Sequence, residues 1–382
     1  MNYDAIVVGL GAMGSATAHE LARRGMRVLG LEAFTPAHQL GSSGGRSRII
    51  RLAYFEHPDY VPMLRAAWDG WHELERRTGE RLLLETGGLY AGPRGSAVLE
   101  GSLESARRHD LPHELLDGDA VGRRFPALRL DPGMAALHEP LAGLLFPERC
   151  IETHLRLARQ DGGELHFEER VMRCDGGDGG GAVTVVTDRG EYSGSRLVLA
   201  AGAWLPHLVP ELELPLVVER NVLFWFEPQA SPELLAPDRL PVYIIELDRD
   251  HAFYGFPVLP DQGAKVARHH GGRRTDPGQV DRDVHPADED PVRDFCARYV
   301  PAANGRRLDA RVCMYTNTPD FNFVIDTHPD DPRVIICSPC SGHGFKFSNV
   351  IGRICADLAL DGGTEFEIGF LSLRRFAGAA AP

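Results

Sequence analysis

The chain has 382 residues, of which 43% are apolar and 25% charged, enough for two domains of ordinary size with real cores. Its formal net charge of −13 argues against nucleic acid or an anionic membrane as partner, because phosphate binding needs concentrated positive charge, and no run reaches the roughly 20 apolar residues of a membrane span. Asp4 precedes the first apolar run where a signal peptide would be basic, and seven cysteines, an odd number, suit reduced thiols; these features point to a cytoplasmic protein.

Ala5 to Val8 is a short apolar run predicted as a strand, followed by Gly9-Leu10-Gly11-Ala12-Met13-Gly14. Met13, Ala16, Thr17 and Leu21 recur at helical spacing until Gly25, a natural stop just past a helix, and Arg27 to Leu31 reads as a second strand ending at Glu32. Helices are predicted from Tyr60 to Gly79, with Leu64, Ala67, Trp68, Trp71 and Leu74 on one face, and from Ile151 to Gln160. Short strands follow around Glu164 to Glu168, Ala182 to Thr187 and Arg196 to Ala200, with the glycine-rich run Gly176 to Gly181 as a hairpin loop. From about 215 to 320 short alternating segments rich in Pro, Tyr, Phe and Asp suggest an antiparallel sheet carrying a substrate site. Val334 to Cys337 reads as a buried strand leading through Ser341-Gly342-His343-Gly344 into a helix with Phe347, Val350, Ile351, Ile354 and Leu358 on one face, and the tail from Ala377 is expected to fray.

Gly9, Gly11 and Gly14 form G-x-G-x-x-G between a strand and a helix, with Glu32 closing the next strand. The first glycine permits the tight turn, the second lets backbone approach a pyrophosphate, and the third brings helix close to strand, while the helix N-terminus faces phosphate charge. Glu32 can accept from ribose hydroxyls. The motif identifies a dinucleotide site and leaves NAD and FAD both open.

Further segments narrow that choice. They are Gly41-Ser42-Ser43-Gly44-Gly45-Arg46-Ser47-Arg48-Ile49-Ile50-Arg51, Leu199-Ala200-Ala201-Gly202-Ala203-Trp204, Tyr254-Gly255-Phe256-Pro257 before His269, Arg311-Val312-Cys313-Met314-Tyr315-Thr316, and Ser341-Gly342-His343-Gly344-Phe345-Lys346-Phe347. Together, in order and over nearly the whole chain, they resemble the monomeric sarcosine oxidase and N-methyltryptophan oxidase family of D-amino-acid-oxidase-like flavoproteins. The resemblance implies FAD linked through a thioether from Cys313, and Arg51 and Lys346 binding a substrate carboxylate, with Lys346 also helping O2 react. It implies Arg48 beside the flavin, with Tyr254, His269 and Tyr315 lining the substrate pocket. Cofactor contacts are expected from Gly9, Gly11, Gly14, Glu32, Ser42, Arg48, Gly202, Cys313, Gly342, Gly344 and Lys346.

The implied fold is α/β (α+β overall): a discontinuous Rossmann-like FAD-binding domain (1–85, 146–215, 322–373), a mainly antiparallel substrate domain (86–145, 216–321) and a tail (374–382). The implied reaction is oxidation of a secondary amine or amino acid (sarcosine, another N-methyl amino acid or a cyclic one) by hydride transfer to flavin, with O2 giving H2O2, in a monomer. The alternatives are an amine dehydrogenase and a biosynthetic imine-forming oxidase. Only two of the 41 basic residues are lysine, Lys265 and Lys346, which fits a lysine kept for its chemistry. Cys337-Ser338-Pro339-Cys340 matches CxxC, and His269-His270 is a histidine pair, yet neither has the further ligands a zinc site needs, so no metal is expected. Relatives usually carry a histidine pair at Ser43-Gly44, and a small glycine-containing loop where Pro339-Cys340 stand, so a reshaped pocket is expected.

Overall fold

The computed structural model describes residues 2–175, 181–229 and 231–376. The glycine-rich loop expected at Gly176 to Gly181 lies, over 176–180, outside the described residues, as does the tail from Ala377. The strand Asn2–Val8 leads into helix Ala12–Arg23, and the strand Val28–Leu31 lies parallel to the first. Gly25 and Gly79 take φ of +86° and +73° just past their helices, the left-handed turn that residues with a Cβ avoid. The predicted helices are observed as Val61–Thr78, Pro147–Gln160 and Ser348–Asp361.

The fold is α/β. One sheet of eight strands runs Val171–Asp175, Val183–Thr187, Glu191–Leu199, Asn2–Val8, Val28–Leu31, Glu164–His166, with Val334–Ser338 also paired to Glu191–Leu199 and Val324–Thr327 beyond it. Its central pairings are parallel, so its strands are buried on both faces and read as unbroken apolar runs such as Ala5-Ile6-Val7-Val8. Helix Ala12–Arg23 packs against both Pro147–Gln160 and Ser348–Asp361. A Cβ on Gly352 would stand 2.6 Å from the Ala16 carbonyl carbon, which shows how closely two of these helices meet.

A second sheet of nine strands is mainly antiparallel, in the order Arg273–Arg274, Val217–Phe226, Ala264–His269, His251–Gly255, Val242–Asp248, Gly88–Pro93, Met134–Glu139, Glu114–Asp117, with Arg307–Asn317 on the other edge of Val217–Phe226. Gly88–Pro93 and Val242–Asp248 pair in parallel, the exception to the expected pattern. Alternation along these strands divides the sheet into two faces. One face carries Phe224, Phe226, Tyr243, Ile245, Phe253 and Val266 into a core that includes Val292, Phe295 and Tyr299 of helix Pro286–Tyr299. The opposite face carries Leu223, Ile244, Tyr254, Lys265, Ala267, His269, Cys313 and Tyr315, neighbours across the registers. A third, three-stranded antiparallel sheet joins Arg48–Arg51, Ala142–Leu145 and Leu83–Glu85.

One polar contact lies inside the helical layer. His19 and His154 are both buried, with Nδ1 atoms 3.0 Å apart; Arg77 (3.4 Å) and Asp161 (3.8 Å) face His19, and the edge of Trp71 meets His154. Burial, then the field of Arg77, lowers the His19 imidazole from 6.5 to about 4, and burial lowers His154 well below its ordinary value. A depressed imidazole keeps its stabilisation above 6.5 and loses it as pH falls toward about 4. The thermal midpoint is therefore expected to fall over that window, and a His19→Leu/His154→Leu double variant should show a shallower slope by calorimetry. Equal slopes would remove the pair as the source.

Candidate active site

A cavity of about 340 Å³ runs between the two large sheets. Every catalytic or cofactor-contacting residue expected from the sequence lines it except Gly14, which acts from beneath. A Cβ on Gly14 would lie 1.7 Å from the Gly9 carbonyl oxygen, and one on Gly9, whose φ is +86°, would lie 2.6 Å from the Ala200 carbonyl oxygen. At this end Glu32 accepts the Leu10 (2.8 Å) and Phe34 (3.1 Å) amides and lies 3.4 Å from His38. The segment from Ala200 to Trp204, with Gly202 at φ +55°, forms the facing wall.

The middle of the cavity is built by the loop before Arg48–Arg51. The Arg48 guanidinium donates to the carbonyls of Ser47 (2.9 Å), Ser42 (3.0 Å) and Gly44, and its Nη2 lies 3.8 Å from Cys313 Sγ. Cys313 is 4% exposed, and its thiol also donates to the Ser42 carbonyl at 3.7 Å. Ser43 accepts the Ala12 amide (3.2 Å), so the position expected to carry an imidazole instead ties the loop to the first helix.

The far end holds the charge. Arg51, 2% exposed, donates through Nη2 to both Glu56 oxygens at 2.6 Å and through Nη1 to the Ala53 carbonyl at 3.0 Å, and lies over the rings of Tyr54 and Phe55. Lys346, 4% exposed, donates to the His343 carbonyl (2.6 Å) and the Tyr54 hydroxyl (3.4 Å). Burial, then the field of Arg51, lowers the Lys346 ammonium from 10.5 to about 7 against the pull of Glu56. Burial opposes ionisation of Glu56, and Arg51, His343 and Lys346 overcome it, holding its carboxyl below the ordinary value. The His343 Nε2 faces the Phe321 carbonyl at 2.9 Å. Carbonyls only accept, so this nitrogen carries the proton and Nδ1 accepts from the Tyr54 hydroxyl at 2.5 Å.

Tyr254, His269 and Tyr315 form an edge-to-face aromatic cluster along the wall, with His269 6.0 Å from Tyr254 and 5.8 Å from Tyr315 by centroid. Burial, then His270 and the cations nearby, lowers His269 well below 6.5 and leaves it a neutral imidazole. Cys340 lines the cavity too, and burial raises its thiol to about 11. Its CxxC partner Cys337 instead packs in the core with Cys355, and among the described residues no three His, Cys, Asp or Glu side chains cluster as metal ligands.

Two groups at this site were not singled out as site residues from the sequence. Glu56 follows Arg51 by five positions in an irregular segment and carries no motif signal. Lys265, 2% exposed, donates to the Gly45 (2.8 Å) and Ser47 (2.7 Å) carbonyls and lies over Phe256; burial, then Arg48, lowers it well below 10.5. The signal for Lys265 was available in its alternation with Ala267 and His269 on the site face.

A family model described as FAD dependent oxidoreductase matches residues 4–358. The chain belongs to that family. It is 45% identical over 382 residues to a monomeric sarcosine oxidase of Streptomyces avermitilis, covering 99% of both chains. It is 35% identical to an N-methyl-L-tryptophan oxidase of Salmonella dublin, covering 99% of this chain and 100% of the other. Among solved structures, NikD, an unusual amino acid oxidase essential for nikkomycin biosynthesis, superposes with a TM-score of 0.85 at 25% identity over 97% of both chains.

The residues present fit the dinucleotide of an FAD-dependent oxidoreductase. The glycine turn admits nothing larger than hydrogen at Gly9 and Gly14, Glu32 closes the strand at the cavity wall, and Ser42 Oγ and Thr316 Oγ1, both on lining residues, are buried without a hydrogen-bond partner.

Any carboxylate entering beside Arg51 must compete with Glu56. Replacing Glu56 with Gln should tighten binding of a small carboxylate such as acetate by about tenfold, on the scale of a lost charge-assisted competitor, measured as perturbation of the flavin spectrum. Unchanged or weaker binding would show that Glu56 does not occupy the anion position.

Proposed function

We propose that this oxidoreductase acts on a secondary α-amino acid, N-methylated or cyclic. The carbon beside nitrogen gives up a hydride equivalent and the nitrogen its proton, leaving an imine open to hydrolysis, while dioxygen takes up the two electrons and two protons as hydrogen peroxide. FAD supplies, when bound, the acceptor for the hydride and the route of the electrons to dioxygen. The reading rests on one observation: Arg51 and Lys346 share a buried cavity with the glycine turn, Arg48 and Cys313. Names among the relatives, sarcosine oxidase and N-methyl-L-tryptophan oxidase, point the same way.

In this reading Arg51 and Lys346 hold the substrate carboxylate, and Tyr254, His269 and Tyr315 close the wall around the amine. The amine must react as the free base, since a protonated nitrogen has no lone pair to push. Two nearby cations disfavour the ammonium form, and the neutral His269 ring can accept a hydrogen bond from the amine. Cys313 would hold the FAD through a thioether, with Arg48, 3.8 Å from its sulfur, beside it. In the same reading the eight-stranded sheet serves the cofactor and the nine-stranded sheet the substrate. The enzyme would act as a cytoplasmic monomer; among the described residues no helix is long and apolar enough to cross a membrane.

The two lysines divide the remaining work. Lys346 shares its field with Arg51 and Glu56, the carboxylate side. Lys265 shares its field with Arg48 and Cys313, the flavin side, which favours it over Lys346 as the ammonium that meets negative charge developing on dioxygen. Lys346→Met should raise the substrate KM about tenfold or more, the cost of a charged hydrogen bond, with flavin reoxidation in air little changed. Lys265→Met should slow reoxidation by at least about 100-fold with little effect on KM. Stopped-flow measurement separates the two half-reactions; the reverse pattern would exchange the roles, and no effect of either would sink the division.

A further inference from the structure

Glu139 is a charged group inside the molecule that the proposed reaction leaves unused. Its side chain is 0% exposed, and it lies on the site face of the nine-stranded sheet. Across the registers Ile244 adjoins Tyr254, Tyr90 adjoins Ile244 and Leu137, and Glu139 falls two residues beyond Leu137. Its carboxylate leaves the sheet to accept the amides of Leu52 (3.0 Å) and Ala53 (2.8 Å), the two residues after Arg51, and the Tyr90 hydroxyl at 2.6 Å. The Tyr90 ring itself lies 5.6 Å from the Arg51 guanidinium.

We propose that Glu139 is a positioning residue for substrate-carboxylate recognition, clamping the turn that aims Arg51. The proposal rests on the reading of Arg51 as the carboxylate site.

Three features carry it. The bonds close a loop: Glu139 holds the Ala53 amide, the Ala53 carbonyl accepts from Arg51 Nη1, and the Arg51 guanidinium is thereby tied to the turn that Glu139 fixes. The second feature is charge. Two cations, Arg51 and Lys346, face the far end of the cavity, and Glu56 is the one carboxylate there that lines the cavity, in the place an incoming carboxylate would take. Glu139 does not line the cavity, so its carboxyl stays behind Arg51 while Glu56 and substrate exchange. The third is how the carboxyl is held. Burial raises the Glu139 carboxyl to about 7, while Tyr90, Ala53, Arg51 and Leu52 all pull the other way. The Leu52 and Ala53 amides can only donate, one to each carboxyl oxygen, so both oxygens are held whether the Tyr90 hydroxyl donates to the carboxylate or accepts from the carboxyl.

The test uses flavin-loaded enzyme and two substrates, the N-methyl amino acid it oxidises and the corresponding carboxamide. The ratio of their kcat/KM values reads carboxylate recognition alone, and the carboxamide rate reports that the fold and the oxidation chemistry survive. Arg51→Gln serves as the reference and should collapse the ratio. Glu139→Gln, which sets an amide N–H against a donor, should lower the ratio about tenfold through KM, and Tyr90→Phe, which removes one donor and keeps the ring, about threefold. If Glu139→Gln does not fold, Tyr90→Phe decides. A wild-type ratio in these variants, or equal losses on both substrates, would overturn the positioning role while Arg51→Gln still collapses the ratio. A wild-type ratio in Arg51→Gln would overturn the carboxylate reading beneath it.

Discussion

Two cations buried beside one cavity are the constraint on which the rest of the site depends. Each charge taken out of water costs several kcal/mol unless oxygen partners and counter-charge replace the lost solvation, and two like charges raise that cost. The surroundings of Arg51 and Lys346 are accordingly built from acceptors: the Ala53 and His343 carbonyls, the Tyr54 hydroxyl, the Glu56 carboxylate and, one layer back, Glu139. The Tyr54 ring faces both cations, at 4.1 Å from Arg51 and 5.1 Å from Lys346, and its hydroxyl is oriented by a histidine whose tautomer a carbonyl fixes. Acceptors so placed hold the two cations in position in advance, and preorganised cations are what recognition of a carboxylate requires.

The two large sheets divide this labour by geometry. A parallel sheet ends in a glycine turn with a helix N-terminus behind it, which suits a pyrophosphate. A mainly antiparallel sheet presents one wide face, and alternation lets strands far apart in sequence each contribute a side chain to it. Tyr254, Lys265, His269, Cys313 and Tyr315 come from three strands yet share that face. The short sheet containing Arg48–Arg51 brings both arginines to the same cavity, one beside Cys313 and the other beside Glu56.

Much of this was legible in the sequence, and the reason differs by element. The strand, glycine turn, helix and strand from Ala5 to Glu32 were readable because each step has a local cause: an apolar run, glycines where a Cβ cannot fit, apolar spacing of a helix, and a stop at Gly25. The residues facing the cavity were legible through segments such as Cys313-Met314-Tyr315-Thr316 that resemble relatives. What stayed hidden was register. Nothing local marks Glu139 as reaching Leu52 and Ala53 across 86 or more positions, or Glu56 as lying on Arg51. The parallel pairing of Gly88–Pro93 with Val242–Asp248 was hidden for the same reason. Cys337 illustrates the converse: a local CxxC pattern was visible, but the strand points Cys337 into the core with Cys355 while Cys340 turns to the cavity.

In the proposed reading Cys313, buried on the site face of the nine-stranded sheet, is the residue that would anchor the flavin. Acid precipitation of the purified protein followed by peptide mapping tests this most directly. Flavin is expected to remain in the pellet and to travel with the peptide containing Cys313. Flavin released to the supernatant, or attached to another peptide, would contradict the anchoring and with it the placement of the ring beside Arg48 and Lys265.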